Sequence, residues 1–187
     1  MCLNNRFFQD AEGVIPDPNS SIHRSYRHFT AFFQDRQTIT EHDFIIACHF
    51  TYGWMPTMLD LRGELADSID IANRVKAEGY IPTAEEIQRL ANNINGSVVG
   101  TSKVLHFIRP DIHAIWDSRV YRYLHQQRPY IYRLEAPDAY AGYLNNIADL
   151  RQDARFAKTL QTFNTALGYE ATANRFIEYV MYHHGAE

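Results

Sequence analysis

Cysteine, lysine and long apolar runs are scarce in this chain. The two cysteines, Cys2 and Cys48, lie far apart in the sequence, so neither a disulfide framework nor a cysteine-based zinc site is expected. No run approaches the roughly 18 consecutive apolar residues that span a membrane, and residues 1–6 lack the apolar core of a signal peptide. We therefore expect a cytoplasmic protein without a membrane partner.

Several sequence motifs that are typical of metal-binding, hydrolytic or nucleotide-binding proteins are also missing. The histidines do not form a His-x-x-x-His or His-Glu-x-x-His pattern, so a metal site is not expected. The sequence contains no Gly-x-Ser-x-Gly elbow, phosphate-binding loop or dinucleotide fingerprint. We accordingly expect no metal and no cofactor.

The overall composition is that of a folded globule. The chain has 187 residues, of which 45% are hydrophobic and 21% charged, and this length fits a single domain over residues 1–187. The formal net charge of −4 argues against a protein whose whole surface coats nucleic acid. A local basic face is still compatible with that charge.

Helical spacing of apolar residues dominates the chain after an irregular N-terminal lead-in at about residues 1–20, which contains Pro16 and Pro18. No strand pattern of comparable strength occurs. The sequence therefore predicts an all-α protein, an orthogonal helical bundle. Capping residues and prolines predict helix starts near Ser20, Thr40, Thr83, Ser97 to Ser102, Asp117, Pro137, Asp153 and Glu170.

Lys103 and Asp117, fourteen residues apart, are the leading candidates for catalysis. Only three lysines occur, among many arginines, and a desolvated lysine can lose its proton and attack carbon, whereas a guanidinium stays charged. Asp117 is predicted to cap a helix and could point back toward the amine. The alternative is a solvated surface lysine and a carboxylate that only caps.

Two glycines, Gly96 and Gly100, are predicted to form the turn that joins the helices before and after it. Such a turn lets a backbone approach a ligand closely, and the amides that open the following helix favour an anion such as a phosphate. We therefore expect DNA contacts from this segment, at Gly96, Ser97, Gly100, Thr101 and Ser102.

The segment from Gly100-Thr101-Ser102-Lys103 to Asp117-Ser118-Arg119-Val120 resembles the active-site segment of helix-hairpin-helix DNA glycosylases of the 8-oxoguanine type. The resemblance covers about residues 83–125, and the hairpin is degenerate because it lacks the family's proline. It implies that a modified base is extruded from duplex DNA, that Lys103 attacks the sugar C1′, and that Asp117 stabilises the developing positive charge. The resulting imine could go on to break the strand.

A basic, tyrosine-rich strip follows Asp117. Between Ser118 and Leu134 the sequence has no acidic residue, and arginine and tyrosine side chains suit phosphates and stacked bases. We expect Arg119 and Arg122 to contact DNA. The alternative is that the tyrosines pack inward and the arginines pair with acids elsewhere. The strip comprises Arg119, Tyr121, Arg122, Tyr123, Arg128, Tyr130, Tyr132 and Arg133.

Tyr52 and Trp54, beside Gly53, could form the wall of a base pocket or a wedge that fills the gap left by an extruded nucleotide. His106 and Trp116 are assigned to the same pocket. Core packing is the alternative for the aromatics, and a structural role is the alternative for His106.

Two other functions remain open at the level of sequence. One is a non-catalytic helical module that holds nucleic acid or a partner protein through the hairpin and the basic strip. The other is a helical protein that binds a small molecule or an anion.

Overall fold

The computed structural model of the chain describes residues 3–55 and 57–186. Within these residues the chain is all-helical, with eleven helices and no sheet, as the apolar spacing predicted. The helices are α1 (Leu3–Glu12), α2 (Ser21–Gln34), α3 (Glu41–Trp54), α4 (Ala66–Glu78), α5 (Ala84–Asn93), α6 (Val98–Ile108), α7 (Ser118–His125), α8 (Ile131–Leu134), α9 (Pro137–Gln152), α10 (Phe156–Leu167) and α11 (Ala173–His184).

Side-chain caps begin many of these helices at the predicted places. Ser20, Thr40 and Thr83 accept hydrogen bonds from backbone amides of the first turns of α2, α3 and α5. Ser97 and Asp117 do the same for α6 and α7. Each cap satisfies a backbone N–H that has no partner inside the helix, so these predictions are confirmed.

The irregular lead-in is corrected in its first half. Residues 3–12 form α1, and only the following residues up to the cap of α2 are irregular. Phe7 and Phe8 on α1 are buried, and Phe7 packs edge-on against Phe176 of α11. Burial of this aromatic face supplies the stabilisation that a ten-residue helix lacks alone.

Helix α6 lies at the centre of the bundle and packs against α2, α3, α4, α5 and α9. Its apolar residues Val104, Leu105 and Phe107 are almost completely buried. Helix α7 in turn packs extensively against α11, the last helix of the chain. This arrangement places Lys103 on α6, Asp117 at the start of α7 and residues of α11 around one space.

Helices α5 and α6 form the expected helical hairpin. Residues 94–97 join them, and Asn95 and Gly96 adopt left-handed conformations with φ of +57° and +68°. The Asn95 side chain holds the turn, because its Oδ1 accepts from the Asp60 N–H at 2.6 Å and its Nδ2 donates to the Met58 carbonyl at 2.9 Å. Gly100, which was also predicted in the turn, lies within α6.

Candidate functional site

Lys103 and Asp117 line the same cavity, which has a volume of about 700 Å³. The cavity lies between α3, α6, the start of α7, and α11. Of the other residues predicted for the site, Tyr52, Trp54, Ser97 and Arg119 also line it. The fold thus brings together residues that are separated by more than sixty positions in the sequence, from Tyr52 to Arg119.

The Lys103 amine is held in a water-poor position without a direct ionic partner. Across residues 3–55 and 57–186, no carboxylate lies within ion-pair distance of this amine. Burial lowers the pKa of Lys103 below its usual 10.5, and the nearby carboxylates of Asp117 and Glu135 partly offset that effect. A lysine in this environment loses its proton more readily than one in water, which is what a nucleophilic amine requires.

Asp117 is fixed in place by its capping role. Its Oδ1 accepts hydrogen bonds from the backbone amides of Arg119 and Val120, both at 2.9 Å, and only 9% of the residue is exposed. Capping and lining the cavity are compatible, because a carboxylate has further lone pairs beyond those used by the two amides. Asp117 thus both caps α7 and lines the cavity, and a role for it beyond capping stays a prediction.

Glu135 occupies the position where the sequence predicted an external anion. Its Oε2 accepts from the amides of Val98 at 2.5 Å and Val99 at 3.3 Å, and the Ser97 hydroxyl donates to its Oε1 at 3.2 Å. The positive end of α6 is therefore neutralised by a carboxylate of the chain itself. The Gly100 amide is also taken, since it donates to Ser97 Oγ at 3.0 Å.

Gly100, Thr101 and Ser102 are buried, so their assignment to DNA contact is wrong. The Thr101 hydroxyl donates to the Ser97 carbonyl at 2.8 Å, and the Ser102 hydroxyl accepts from the Trp116 N–H at 3.0 Å. The small size of Gly100 serves the close approach of Tyr52 and not of a ligand. Gly96 is exposed, and its contact with DNA stays a prediction.

His106 and Trp116 were assigned to the base pocket, and the structure corrects both. His106 is completely buried between the Tyr26 hydroxyl at 2.9 Å and the His113 carbonyl at 2.7 Å, and burial lowers its pKa to about 3. Trp116 is also completely buried and donates its indole N–H to the Leu134 carbonyl at 2.9 Å. Both residues belong to the core, and neither lines the cavity.

The two arginines of the strip that were assigned to DNA differ in position. Arg119 lines the cavity with its guanidinium 4.3 Å from the centre of the Tyr182 ring. Arg122 donates its Nε–H to the Gly185 carbonyl at 2.8 Å and helps to join α7 to the end of α11. Farther along, Tyr121 and Tyr123 are buried, whereas Tyr130 and Tyr132 are 65% exposed and stacked on each other.

The sequence analysis predicted the helix α11 but not its contribution to the cavity. Arg175, Glu178, Tyr179 and Tyr182 line the cavity, and the first two form an ion pair although each is nearly buried. A charged pair three residues apart within a stretch otherwise rich in apolar residues was the available signal. Its meaning depends on what α11 packs against, which the sequence alone does not reveal.

No group of three or more His, Cys, Asp and Glu side chains positioned to hold a metal ion occurs in the described part of the chain. Within the same residues, none of the helices has the length and apolar character needed to cross a membrane. Comparison of the chain with protein-family models, with curated proteins and with solved structures finds no match.

Proposed function

We propose that this protein is a DNA glycosylase-like enzyme that removes an oxidised or otherwise modified base from duplex DNA, in repair or in defence against modified foreign DNA. Lys103 is the nucleophile and Asp117 the carboxylate that stabilises positive charge. The observation that carries the proposal is that both residues line one cavity of about 700 Å³. A cavity of this volume falls within the roughly 300–1,000 Å³ range of small-molecule sites.

The chemistry follows from the state of the amine. Neutral Lys103 attacks the sugar C1′ and forms a C–N bond, while the glycosidic C1′–N bond breaks and the base leaves with the bonding electron pair. The departing base takes up one of the two amine protons of Lys103. The ring oxygen O4′ takes up the other as the C1′–O4′ bond breaks and the opened sugar forms an imine with the Lys103 nitrogen. Asp117 stabilises the positive charge on the sugar because a fixed carboxylate acts strongly where water is excluded.

The surroundings of Lys103 support this role over that of a surface amine. A lysine that served only solubility would extend into water, where its charge is well hydrated. Here the side chain is half-buried and its pKa is lowered by burial. The two nearby carboxylates, Asp117 and Glu135, could also accept the proton that the amine releases.

Borohydride trapping of the imine tests the proposal. Duplexes containing 8-oxoguanine, uracil or a bulky modified cytosine would be incubated with the protein and the reductant, and covalent protein–DNA adducts would be measured. We expect an adduct with at least one of these duplexes and its loss in Lys103→Gln. Lys158→Gln is the matched control, because Lys158 is exposed on α10. An adduct that persists in Lys103→Gln removes this residue from the role.

A second candidate function is a non-catalytic module that binds nucleic acid. The exposed pair Tyr130 and Tyr132 favours it, because the rings are stacked 5.7 Å apart and the Arg133 guanidinium lies within 6 Å of both. Exposed aromatic rings beside a guanidinium suit stacked bases and phosphates. Salt-sensitive DNA binding without any abasic product or adduct would favour this function over catalysis.

A further inference from the structure

We propose that Arg175 and Glu178, together with the indole N–H of Trp54, determine specificity by binding the ring-amide edge of the extruded base. A ring amide presents a carbonyl oxygen beside a ring N–H, as in uracil, hypoxanthine and other oxo-bases. This inference rests on the proposed function and specifies the substrate class of the same cavity.

The Arg175–Glu178 pair faces the cavity from α11. Arg175 Nη1 donates to Glu178 Oε1, and the two residues are only 3% and 2% exposed. Both nevertheless line the cavity, as do the neighbouring Trp54 and Tyr179. The guanidinium carbon lies 5.7 Å from the centre of the Trp54 ring and 5.5 Å from that of Tyr179. Arg175, Glu178, Trp54 and Tyr179 therefore form one wall of the cavity, in which the charged pair lies beside two aromatic rings.

Two hydrogen-bond donors of this wall lack an acceptor. Arg175 Nε and Trp54 Nε1 are both buried, and neither has a hydrogen-bond partner among the described residues. Buried polar groups are normally paired, so an unpaired donor at a cavity wall calls for an explanation. A ligand that supplies acceptors provides one, once a small shift of the two side chains turns these buried donors toward the cavity that Arg175 and Trp54 line.

The chemistry of the wall defines the ligand edge that it complements. Arg175 and Trp54 can only donate hydrogen bonds, and ionised Glu178 can only accept them. A carbonyl oxygen has two lone pairs and could accept from both donors, while an adjacent ring N–H could donate to Glu178. Within DNA, cytosine has a carbonyl oxygen beside a ring nitrogen that carries no hydrogen, and adenine has no carbonyl oxygen. Neither base can therefore satisfy both donors and Glu178 with one edge. The wall therefore favours oxo-bases.

Binding of free nucleosides tests this inference without requiring catalysis. The dissociation constants of the nucleosides deoxyuridine and deoxycytidine, and of deoxyinosine and deoxyadenosine, would be compared by NMR titration with the full chain, because the sugar removes the N1–H that gives free cytosine a ring-amide edge. We expect the ring-amide member of each pair to bind at least about tenfold more tightly, the discrimination typical of a well-placed pair of hydrogen bonds. Equal binding within both pairs, or no binding of any nucleoside, overturns the inference.

Glu178→Gln is the diagnostic variant, because a carboxamide can both donate and accept and so reduces the preference to about threefold or less. Glu86→Gln is its matched control, since Glu86 is also a nearly buried glutamate paired with an arginine, Arg74, but lies outside the cavity. We expect it to retain the full preference. If Glu178→Gln does not fold, Trp54→Phe removes one unpaired donor from a half-buried position and should weaken deoxyuridine binding severalfold. Unchanged deoxyuridine binding in that variant contradicts the inference.

Trapping of the imine separates this inference from the proposed function. A protein that prefers deoxyuridine and deoxyinosine but forms no adduct with any duplex retains the recognition site and loses the enzymatic role. The opposite result is a Lys103-dependent adduct together with equal binding of the two compared nucleosides in each test. It would support the catalytic role of Lys103 and contradict the role of Arg175 and Glu178 in base recognition.

Discussion

The Tyr52 hydroxyl closes directly over the backbone of Gly100, so that a methyl group added at Gly100 would lie 2.3 Å from the hydroxyl oxygen. Tyr52 is 2% exposed and cannot simply swing away. This contact joins α3 to the first turn of α6, three residues before Lys103. Because Tyr52 also lines the cavity, the packing of this part of the wall requires the absence of a side chain at Gly100.

Gly100→Ala should destabilise the protein although alanine favours helix. The steric cost of overpacking is about 1–3 kcal/mol, against a gain of up to about 1 kcal/mol in helix propensity. We expect a net loss of about 1–2 kcal/mol in the free energy of unfolding, measured by urea denaturation. Combining it with Tyr52→Phe, which removes the clashing oxygen, should recover at least half of the loss. A purely additive double variant would show that this contact is not the cause.

Lys103→Met should make the protein more stable while abolishing adduct formation. The half-buried amine is poorly solvated, and methionine keeps a similar length without a charge. We expect the free energy of unfolding to rise by about 0.5–2 kcal/mol, as is common when a residue kept for function is replaced. Lys158→Met, on the exposed side of α10, should change it by less than about 0.5 kcal/mol. A large loss of stability in Lys103→Met would instead indicate a structural amine.

The rate of adduct formation should rise with pH and level off below pH 10.5. The reactive form of Lys103 is the neutral amine, and burial lowers its pKa. The carboxylate of Glu135 stabilises the ammonium form and so raises the pKa. Its removal in Glu135→Gln should therefore shift the midpoint of the pH–rate profile to lower pH.

One property of the Glu135→Gln variant and one control variant allow the shift in midpoint to be attributed to the lost charge. Glutamine can still accept from the Val98 amide, so this N–H at the start of α6 keeps an acceptor, and the Ser97 cap is unchanged. The control Asp138→Asn removes an exposed carboxylate at the start of α9 and should leave the midpoint unchanged. A midpoint that moves to higher pH in Glu135→Gln would contradict the assignment of Lys103 as the titrating group.

Replacement of Tyr130 or Tyr132 should weaken DNA binding without changing the stability of the fold. Both are 65% exposed, so replacing either with alanine should change the free energy of unfolding by less than about 0.5 kcal/mol. If bases stack on these rings, each substitution should weaken single-stranded DNA binding by about 1–3 kcal/mol, measured by fluorescence anisotropy. Ile81→Ala, another exposed apolar residue, is the control. Unchanged affinity in both tyrosine variants would place the DNA surface elsewhere.

Much of the helical organisation was predictable because local chemistry sets helix ends. Ser20, Thr40 and Thr83 cap their helices as their sequence contexts indicated. No helix was predicted at α4 or α8, and neither begins with a side-chain cap hydrogen bond. Their first residues lack that local signal. Ile71, Ala72 and Val75 show that α4 is instead stabilised by burial against its neighbours.

The candidate site also has a part that the sequence predicts and a part that only the fold determines. Lys103, its rarity as a lysine and the cap at Asp117 could be read from the residues themselves, because amine chemistry and capping are local properties. Burial decided the rest. Thr101 and His106 are buried in the core, and Glu135 lies where an external anion was expected at the start of α6. Packing of α11 places Arg175 in the wall of the cavity. Contacts between segments so distant in the chain depend on how the helices pack, and packing is a property of the whole fold.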